Sequence, residues 1–220
     1  MDDLTDEQIE RMGQFLTTEH FTLQGLRSGT IAESNGRLGH YLSAVGSSIV
    51  ALAFVADVSE VGPVFLAFSV AIFPILIFLG VMTLIRLLQV GITDSLCVQA
   101  INRIRHFYLD MAPEAESYLS FSQYDDPEAV QSTMMPFHAP LQGLASTPGP
   151  VIMINSVLAG AFASILAGGP GSLTLYPALA IGVLVLALAV GFHYQIAARV
   201  WPRETREHAE VRFPSPEGGE

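Results

Sequence analysis

The sequence predicts an all-α membrane protein: four transmembrane helices with a cytoplasmic helical extension. Three features carry that expectation. Apolar segments fall at 41–56, 63–85, 150–167 and 174–198. No Asp, Glu, Lys or Arg occurs from Val61 to Ile85 or from Ala129 to Ala198. A bilayer core about 30 Å thick needs about 20 helical residues, and soluble helices are rarely apolar on every face at such length. The ten cationic side chains, all arginine, then sort to one side of this layout. Arg11, Arg27 and Arg37 precede the first segment, and Arg86, Arg103 and Arg105 follow the second. Arg199, Arg203, Arg206 and Arg212 follow the fourth, while the connections 57–62 and 168–173 carry none. This positive-inside pattern puts both termini in the cytoplasm of a multi-pass inner-membrane protein.

Residues 1–37 read as a cytoplasmic amphipathic region. Thr5-Asp6-Glu7-Gln8 has the form of a capping box, and the acidic start lacks the basic and apolar regions of a cleavable signal peptide. Ile9, Met12, Leu16, Leu23 and Leu26 recur at helical spacing from about 6 to 37, as one helix or two. Ser34-Asn35-Gly36 marks an expected break, although Glu33 and Arg37 stand at a helix-supporting i,i+4 spacing.

Residues 38–90 form the first transmembrane hairpin. Its first span is diluted by Ser43, Ser47 and Ser48 and closed by Asp57, yet without it Arg27 and Arg86 would face opposite sides. Gly39, Ser43, Ser47 and Ala51 make a small-residue stripe suited to close helix packing, within one chain or between copies. Pro74 removes a backbone hydrogen bond mid-span and should kink the second helix, and Arg86 can snorkel at its end.

Residues 91–149 are a cytoplasmic helix and a Pro-rich loop. The stripe Cys97, Ala100, Ile101, Ile104, Phe107, Tyr108 and Met111 extends the second span into one helix over 63–112, about 75 Å long. Its apolar face needs a partner, and the N-terminal helix is the nearest. Pro113, Pro127, Pro136, Pro140 and Pro148 then favour a loop with a short helix near 114–122. The apolar run Met134-Met135-Pro136-Phe137-His138 fits against membrane or bundle. Residues 150–198 form the second hairpin, where Gly160, Ser164 and Gly168 repeat the small-residue spacing and Gly168-Gly169-Pro170-Gly171 makes the turn. Residues 199–220 are a cytoplasmic tail, expected to be disordered from Phe213 onward.

Ala100-Ile101-Asn102-Arg103-Ile104-Arg105-His106-Phe107-Tyr108-Leu109 and Ala112-Pro113-Glu114 join Thr18-Glu19-His20-Phe21 and Ser34-Asn35-Gly36-Arg37 as the most distinctive strings. In these, residues 17–128 resemble a family of bacterial integral membrane proteins of unassigned activity. That family shares the order amphipathic helix, two spans, long cytoplasmic helix, two further spans. The resemblance implies membrane location and carries over no activity. The layout is also similar, in topology alone, to the two-span effector modules of bacterial conflict systems, whose membrane part is thought to form pores.

The net charge of −11 comes from acids in the ends and loop, which solvate those surfaces. No basic patch interleaved with aromatics supports nucleic-acid binding. The lone Cys97 permits no intramolecular disulfide and reads as helix packing. Six histidines show no His-Glu-x-x-His spacing; Glu19-His20 are adjacent, and His106 and Asp110 are four apart as a surface pair. No metal, cofactor or phosphate cradle is expected.

Asn155 and Ser156 in the third span, with His193, Tyr194 and Gln195 late in the fourth, are the polar groups an embedded enzyme could use. Asn155 reads as an interhelical hydrogen-bonder, and His193 and Tyr194 as interface residues. Proton- or sodium-coupled transport is disfavoured by spans without carboxylates or basic charges. The remaining constellation is a candidate cytoplasmic polar network: Glu19, His20, Arg27, Glu33, Asn35 and Arg37 before the spans, and Asp94, Asn102, Arg103, Arg105, His106 and Asp110 after them. Its acids and arginines would fix helix register, or its arginines would bind an anionic ligand or headgroup. Since Arg103 and Arg105 are two apart, they point to different faces. The expected function is a non-enzymatic protein of the lipid bilayer that forms homo-oligomers through its small-residue faces. The alternatives are a cytoplasmically gated channel or pore-forming effector and, last, a membrane-embedded enzyme; no small-molecule ligand can be named.

Overall fold

The structure, a computed structural model, describes residues 5–134, 146–169, 173–208 and 210–216, with backbone alone at 201–208. Every regular element in it is helical, and no strand occurs among the described residues. The helices are α1 (Asp6–Ser59), α2 (Pro63–Met111), a 3-10 turn (Pro113–Tyr118), α3 (Pro127–Met134), α4 (Pro148–Ala167) and α5 (Leu175–His208). Four of them, α1, α2, α4 and the Leu175–Val200 part of α5, are long and apolar enough to cross a membrane.

The capping box starts α1. Thr5 N–H donates to Gln8 Oε1 at 2.9 Å, and Gln8 N–H to Thr5 Oγ1 at 3.3 Å. The helix then runs unbroken through Ser34-Asn35-Gly36, where a break was expected, and ends at Ser59. Asn and Gly cost a helix about 0.7–1 kcal/mol each, too little to stop one that packs on both sides of the position. Glu60 and Val61 carry φ of 51° and 57°, the left-handed conformation that closes a helix, and Val61 N–H reaches back to Ala56 O at 3.1 Å. A β-branched residue there is strained. Pro63, whose missing N–H costs nothing in a first turn, opens α2. α2 continues through Pro74 as one helix to Met111.

The chain divides into two compact units. One comprises Ser34–Gln89 and Pro140–Trp201. Its core gathers Tyr41, Val45 and Leu52 of α1, Phe73, Leu76, Leu84, Leu87 and Leu88 of α2, and Val151, Ile152 and Leu158 of α4. Ile196 and Ala197 of α5 pack against it. Phe73 stacks on Phe162 with ring centroids 5.4 Å apart.

Close approach in this unit is bought with glycine. A Cβ built on Gly182 would lie 1.8 Å from Ser164 Oγ and 2.7 Å from Gly160 O, and one on Gly160 would lie 2.6 Å from Gly182 O. Gly160 and Ser164 of the third-span stripe are therefore spent inside the chain, against α5. Gly168 ends that stripe, exposed, where a Cβ would meet Ser164 O at 3.3 Å and Ala178 Cβ at 3.4 Å. The first-span stripe differs: Gly39, Ser43 and Ser47 are exposed and Ala51 is half-buried.

The other unit comprises Met1–Glu33, Val90–Ala139 and Pro202–Glu220. Cys97, Val98, Ile101 and Ile104 are buried in it with Ala129 and Val130 of α3. Ile9, Met12, Leu16 and Leu23 of α1 are half-buried, whereas Leu26 and Met111, both expected in apolar stripes, are exposed. The expected 114–122 helix is instead the 3-10 turn, with α3 beyond it. Asp126 caps α3, accepting from the N–H groups of Glu128 at 3.1 Å and Ala129 at 3.0 Å. Met134 ends α3; the rest of the 134–138 run and the 170–171 part of the turn lie outside the described residues.

Gly182→Ala is expected to drive α4 and α5 apart, at a cost of about 1–3 kcal/mol. Reversible unfolding in mixed micelles should register the loss, and Gly191→Ala, where a Cβ meets nothing within 4 Å, should show none.

Candidate functional site

Two polar clusters stand out, one in each unit. In the unit that carries most of the charge, the hub is Asp125, whose side chain is fully buried. Arg103 Nε donates to Asp125 Oδ2 at 2.6 Å. The backbone N–H groups of Phe213 (2.7 Å to Oδ1) and Arg212 (3.0 Å to Oδ2) complete the shell. Asp125 N–H in turn donates to Phe213 O at 3.0 Å, and Gln99 Nε2 donates to Asp125 O at 2.9 Å. Next to it, Asp126 accepts from Ser215 N–H at 2.7 Å and from the Ser215 hydroxyl. Phe213 lies on the His106 ring, centroids 4.1 Å apart. Residues 210–216 are thus strapped to the unit. That corrects the expectation of disorder from Phe213: two adjacent carboxylates satisfy the segment's backbone N–H groups, which composition alone does not disclose.

Burial pushes the Asp125 carboxyl up, but the Arg103 hydrogen bond, the Phe213 and Arg212 N–H groups and the Arg103 charge outweigh it and hold it below its ordinary 3.8. Asp126 is lowered in the same sense: burial again opposes, and the Ser215, Ala129 and Glu128 hydrogen bonds prevail. A buried charge with a full shell is costly to strip on one side only.

The expected network is assembled in part. Arg27 Nε pairs with Asp94 Oδ1 at 3.0 Å, and the Thr30 hydroxyl shares that oxygen at 3.3 Å. This is the α1-arginine to α2-acid pairing the sequence led one to expect. Asn102 is fully buried and donates to Tyr124 O at 2.8 Å. Arg105 Nη1 donates to Asn102 Oδ1 at 2.6 Å. Arg103 and Arg105 do part company, Arg103 to Asp125 and the Glu210 carbonyl, Arg105 to Asn102, the Ser122 carbonyl and the Phe121 ring. His20 stacks on Tyr108 at 6.2 Å and meets Gln24 Nε2 at 2.7 Å.

His106 Nε2 lies 3.9 Å from an exposed Asp110, and its Nδ1 is buried without a partner. Glu19 and Asn35 are exposed. Glu33 falls in this unit, and Asn35 and Arg37 fall in the other. Burial, then the nearby Asp94, push the Cys97 thiol up, with Arg27 opposing.

The second cluster lies among the membrane-length helices. Asn155 and Ser156 of α4 and His193 of α5 are buried and in contact. Asn155 Nδ2 is 3.3 Å from His193 Nε2, Ser156 Oγ is 3.3 Å from His193 Nδ1, and Tyr41 Oη donates to Asn155 Oδ1 at 3.4 Å. The Ser156 hydroxyl donates to Ile152 O at 2.8 Å. One assignment satisfies every member: a neutral imidazole accepts from Asn155 at Nε2 and donates from Nδ1 to Ser156. Gly80 makes the room, since a Cβ there would lie 2.3 Å from Asn155 Oδ1 and 2.9 Å from Tyr41 Oη. Tyr194 and Gln195 are exposed and outside the cluster.

Serine, histidine and an amide are the ingredients of a nucleophile. Here, however, the Ser156 proton is committed to a backbone carbonyl and its oxygen is sealed from solvent. The arrangement ties three helices together by hydrogen bonds. Sequence reasoning missed Tyr41, Gly80, Gly182, Asp125, Asp126 and Gln99. Only the Asp-Asp-Pro string before α3 carried a readable signal, that of a helix N-cap. Among the described residues no three His, Cys, Asp or Glu side chains gather as metal ligands. Comparison with protein families, curated proteins and solved structures gives no match.

The strap gives a pH prediction. A carboxyl lowered by folding contributes stability that is fully present above its unfolded value, near 3.8, and is lost as pH falls through the lower native one. Acidification through that window should free residues 210–216, seen as faster amide exchange at Phe213. Asp125→Asn should free them at neutral pH, with a loss of about 3 kcal/mol or more.

Proposed function

We propose that this chain is a non-enzymatic, multi-pass inner-membrane protein that self-associates through the outer face of α1. One observation carries the reading. Gly36, Gly39, Ser43 and Gly46 recur at alternating three- and four-residue steps, and all are exposed. They lie about 180° around the helix from Tyr41, Val45 and Leu52, which enter the core. A Cβ on Gly36, Gly39 or Gly46 would meet nothing within 4 Å. Upstream, Gly25, Gly29 and Ala32 keep the same spacing and are exposed too.

Glycine costs an exposed helix about 1 kcal/mol relative to alanine, so five along one face are a standing penalty with no return inside the chain. Close approach of a second helix is the usual return in lipid, and a 3.5-residue repeat is the period of a left-handed helix pair. Exposed Phe15 and Phe21, in the charged part of α1, supply apolar surface that self-association would cover. The arginine distribution supports cytoplasmic termini. A pore within one chain is less well supported, since Asn155, Ser156 and His193 consume one another's hydrogen bonds.

Gly39→Leu with Gly46→Leu should leave the monomer folded and weaken self-association at least about tenfold, read by energy transfer between labelled copies diluted in liposomes. Unchanged transfer would remove the proposal. Liposomes carrying the native protein should stay tight to ions. Reporter fusions after Asp125 and Glu220 should report cytoplasm, and fusions at Glu60 and Ser172 the opposite side.

A further inference from the structure

We infer that Arg105 of α2, with Arg27 and His20 on the facing part of α1, forms a binding site for a phosphate group. All three belong to the charged unit. Facing residues of α1 and α2 run antiparallel there: Tyr108 Oη reaches Thr17 Oγ1 at 3.5 Å, the Tyr108 ring stacks on His20, and Arg27 pairs with Asp94. On α2, Arg105 lies between Tyr108 and Asp94, one turn from the former and three from the latter. His20 and Arg27, two turns apart, share the facing side of α1.

Arg105 is half-buried, and every partner it has among the described residues is neutral: the Asn102 amide oxygen at 2.6 Å, the Ser122 carbonyl at 3.5 Å, and the Phe121 ring 5.2 Å from Cζ. Asp94, the nearby acid, is engaged by Arg27 and Thr30. Burial lowers the Arg105 pKa, and the Arg27 charge lowers it further. His20 is lowered likewise, by burial and then by Arg105.

A half-buried guanidinium whose described partners are all neutral is a desolvated charge with no Coulombic return. A phosphate oxygen fits it: the guanidinium fork presents N–H groups that match phosphate bidentately, and neutral His20 can add a ring N–H. Asn102 and Phe121 fix the orientation of the fork, which lowers the ordering cost of binding.

Two sources share this chemistry, a free phosphate ester and a phosphomonoester headgroup, and two arms separate them. In the first, full-length protein in neutral detergent is titrated with sodium phosphate against sodium chloride at equal ionic strength, and the melting temperature is followed. In the second, melting is compared in vesicles of phosphatidylcholine with and without one-fifth phosphatidic acid. A saturable rise with phosphate in detergent assigns a soluble ligand; a rise with phosphatidic acid alone assigns the headgroup. Arg105→Gln should weaken the response about tenfold or more, while Arg11→Gln, whose guanidinium pairs at the exposed start of α1 with Glu7, should keep it. Should Arg105→Gln fail to fold, His20→Phe, which keeps the stack on Tyr108, should still reduce the response severalfold. No rise in either arm, or an undiminished rise in the variant that folds, overturns the site.

Discussion

Hydrocarbon offers a backbone no hydrogen bonds, and most of this architecture answers to that constraint. Each apolar stretch must satisfy its own N–H and C=O groups, so each becomes an uninterrupted helix. The constraint also decides the fate of side chains. Asn155, Ser156, His193 and Tyr41 are buried in a unit whose core is mostly aliphatic and aromatic, and each finds its partner in another of the four. The chain of donors and acceptors runs one way, from the tyrosine hydroxyl to a backbone carbonyl, and works with an uncharged imidazole. Such a set is consistent only as a whole: an unmatched amide in low dielectric costs more than the bond it loses. Gly80 belongs to the set although it donates nothing from a side chain, because its missing Cβ is the space the Asn155 amide occupies.

The charged unit meets the same requirement with the opposite material. Asp125 is as sealed as Asn155, yet it is ionised, and its compensation comes from a guanidinium and two backbone N–H groups rather than from neutral side chains. The consequence is order in a short stretch that carries two prolines, Pro214 and Pro216. Residues 210–216 make no helix and bury little apolar surface, but their N–H groups are the ones an otherwise unmatched carboxylate needs. The His106–Phe213 stack adds the apolar half of the contact. A segment of this kind is held by a few strong, geometrically specific bonds, and it is therefore sensitive to one charge.

What could be read in the sequence divides along the same physical line. Periodicity and charge depletion along a helix are local, so the extent of α2, the capping box at Thr5 and the four membrane-length segments were legible. The continuity of α1 was not: Ser34-Asn35-Gly36 reads locally as a stop, and packing outweighs a propensity cost of about 1 kcal/mol per residue. Tail docking escaped for a different reason. Asp125 and Phe213 are joined across 88 residues through the N–H and C=O of Phe213, main-chain groups that carry no residue-type signal. The Arg27–Asp94 pair was readable only as a class of contact, while the partner of Arg103 lay in a loop that composition marks merely as irregular.

Glycine shows how one residue type serves two purposes that only three dimensions separate. Gly160 and Gly182 lie where backbones touch, so each cost in helix propensity is offset at once by dispersion contacts that a Cβ would forbid. Gly36, Gly39 and Gly46 carry the same cost and meet nothing. If lipid were their intended neighbour, alanine or leucine would hold the helix better and match the acyl chains as well. On the reading proposed above, a row kept thin on the face opposite the core is a surface shaped for a backbone, that of another copy of α1. The pairing would place the two cores on the outside and the two thin faces at the axis, burying glycine Cα atoms against each other where van der Waals contact is the main attraction available.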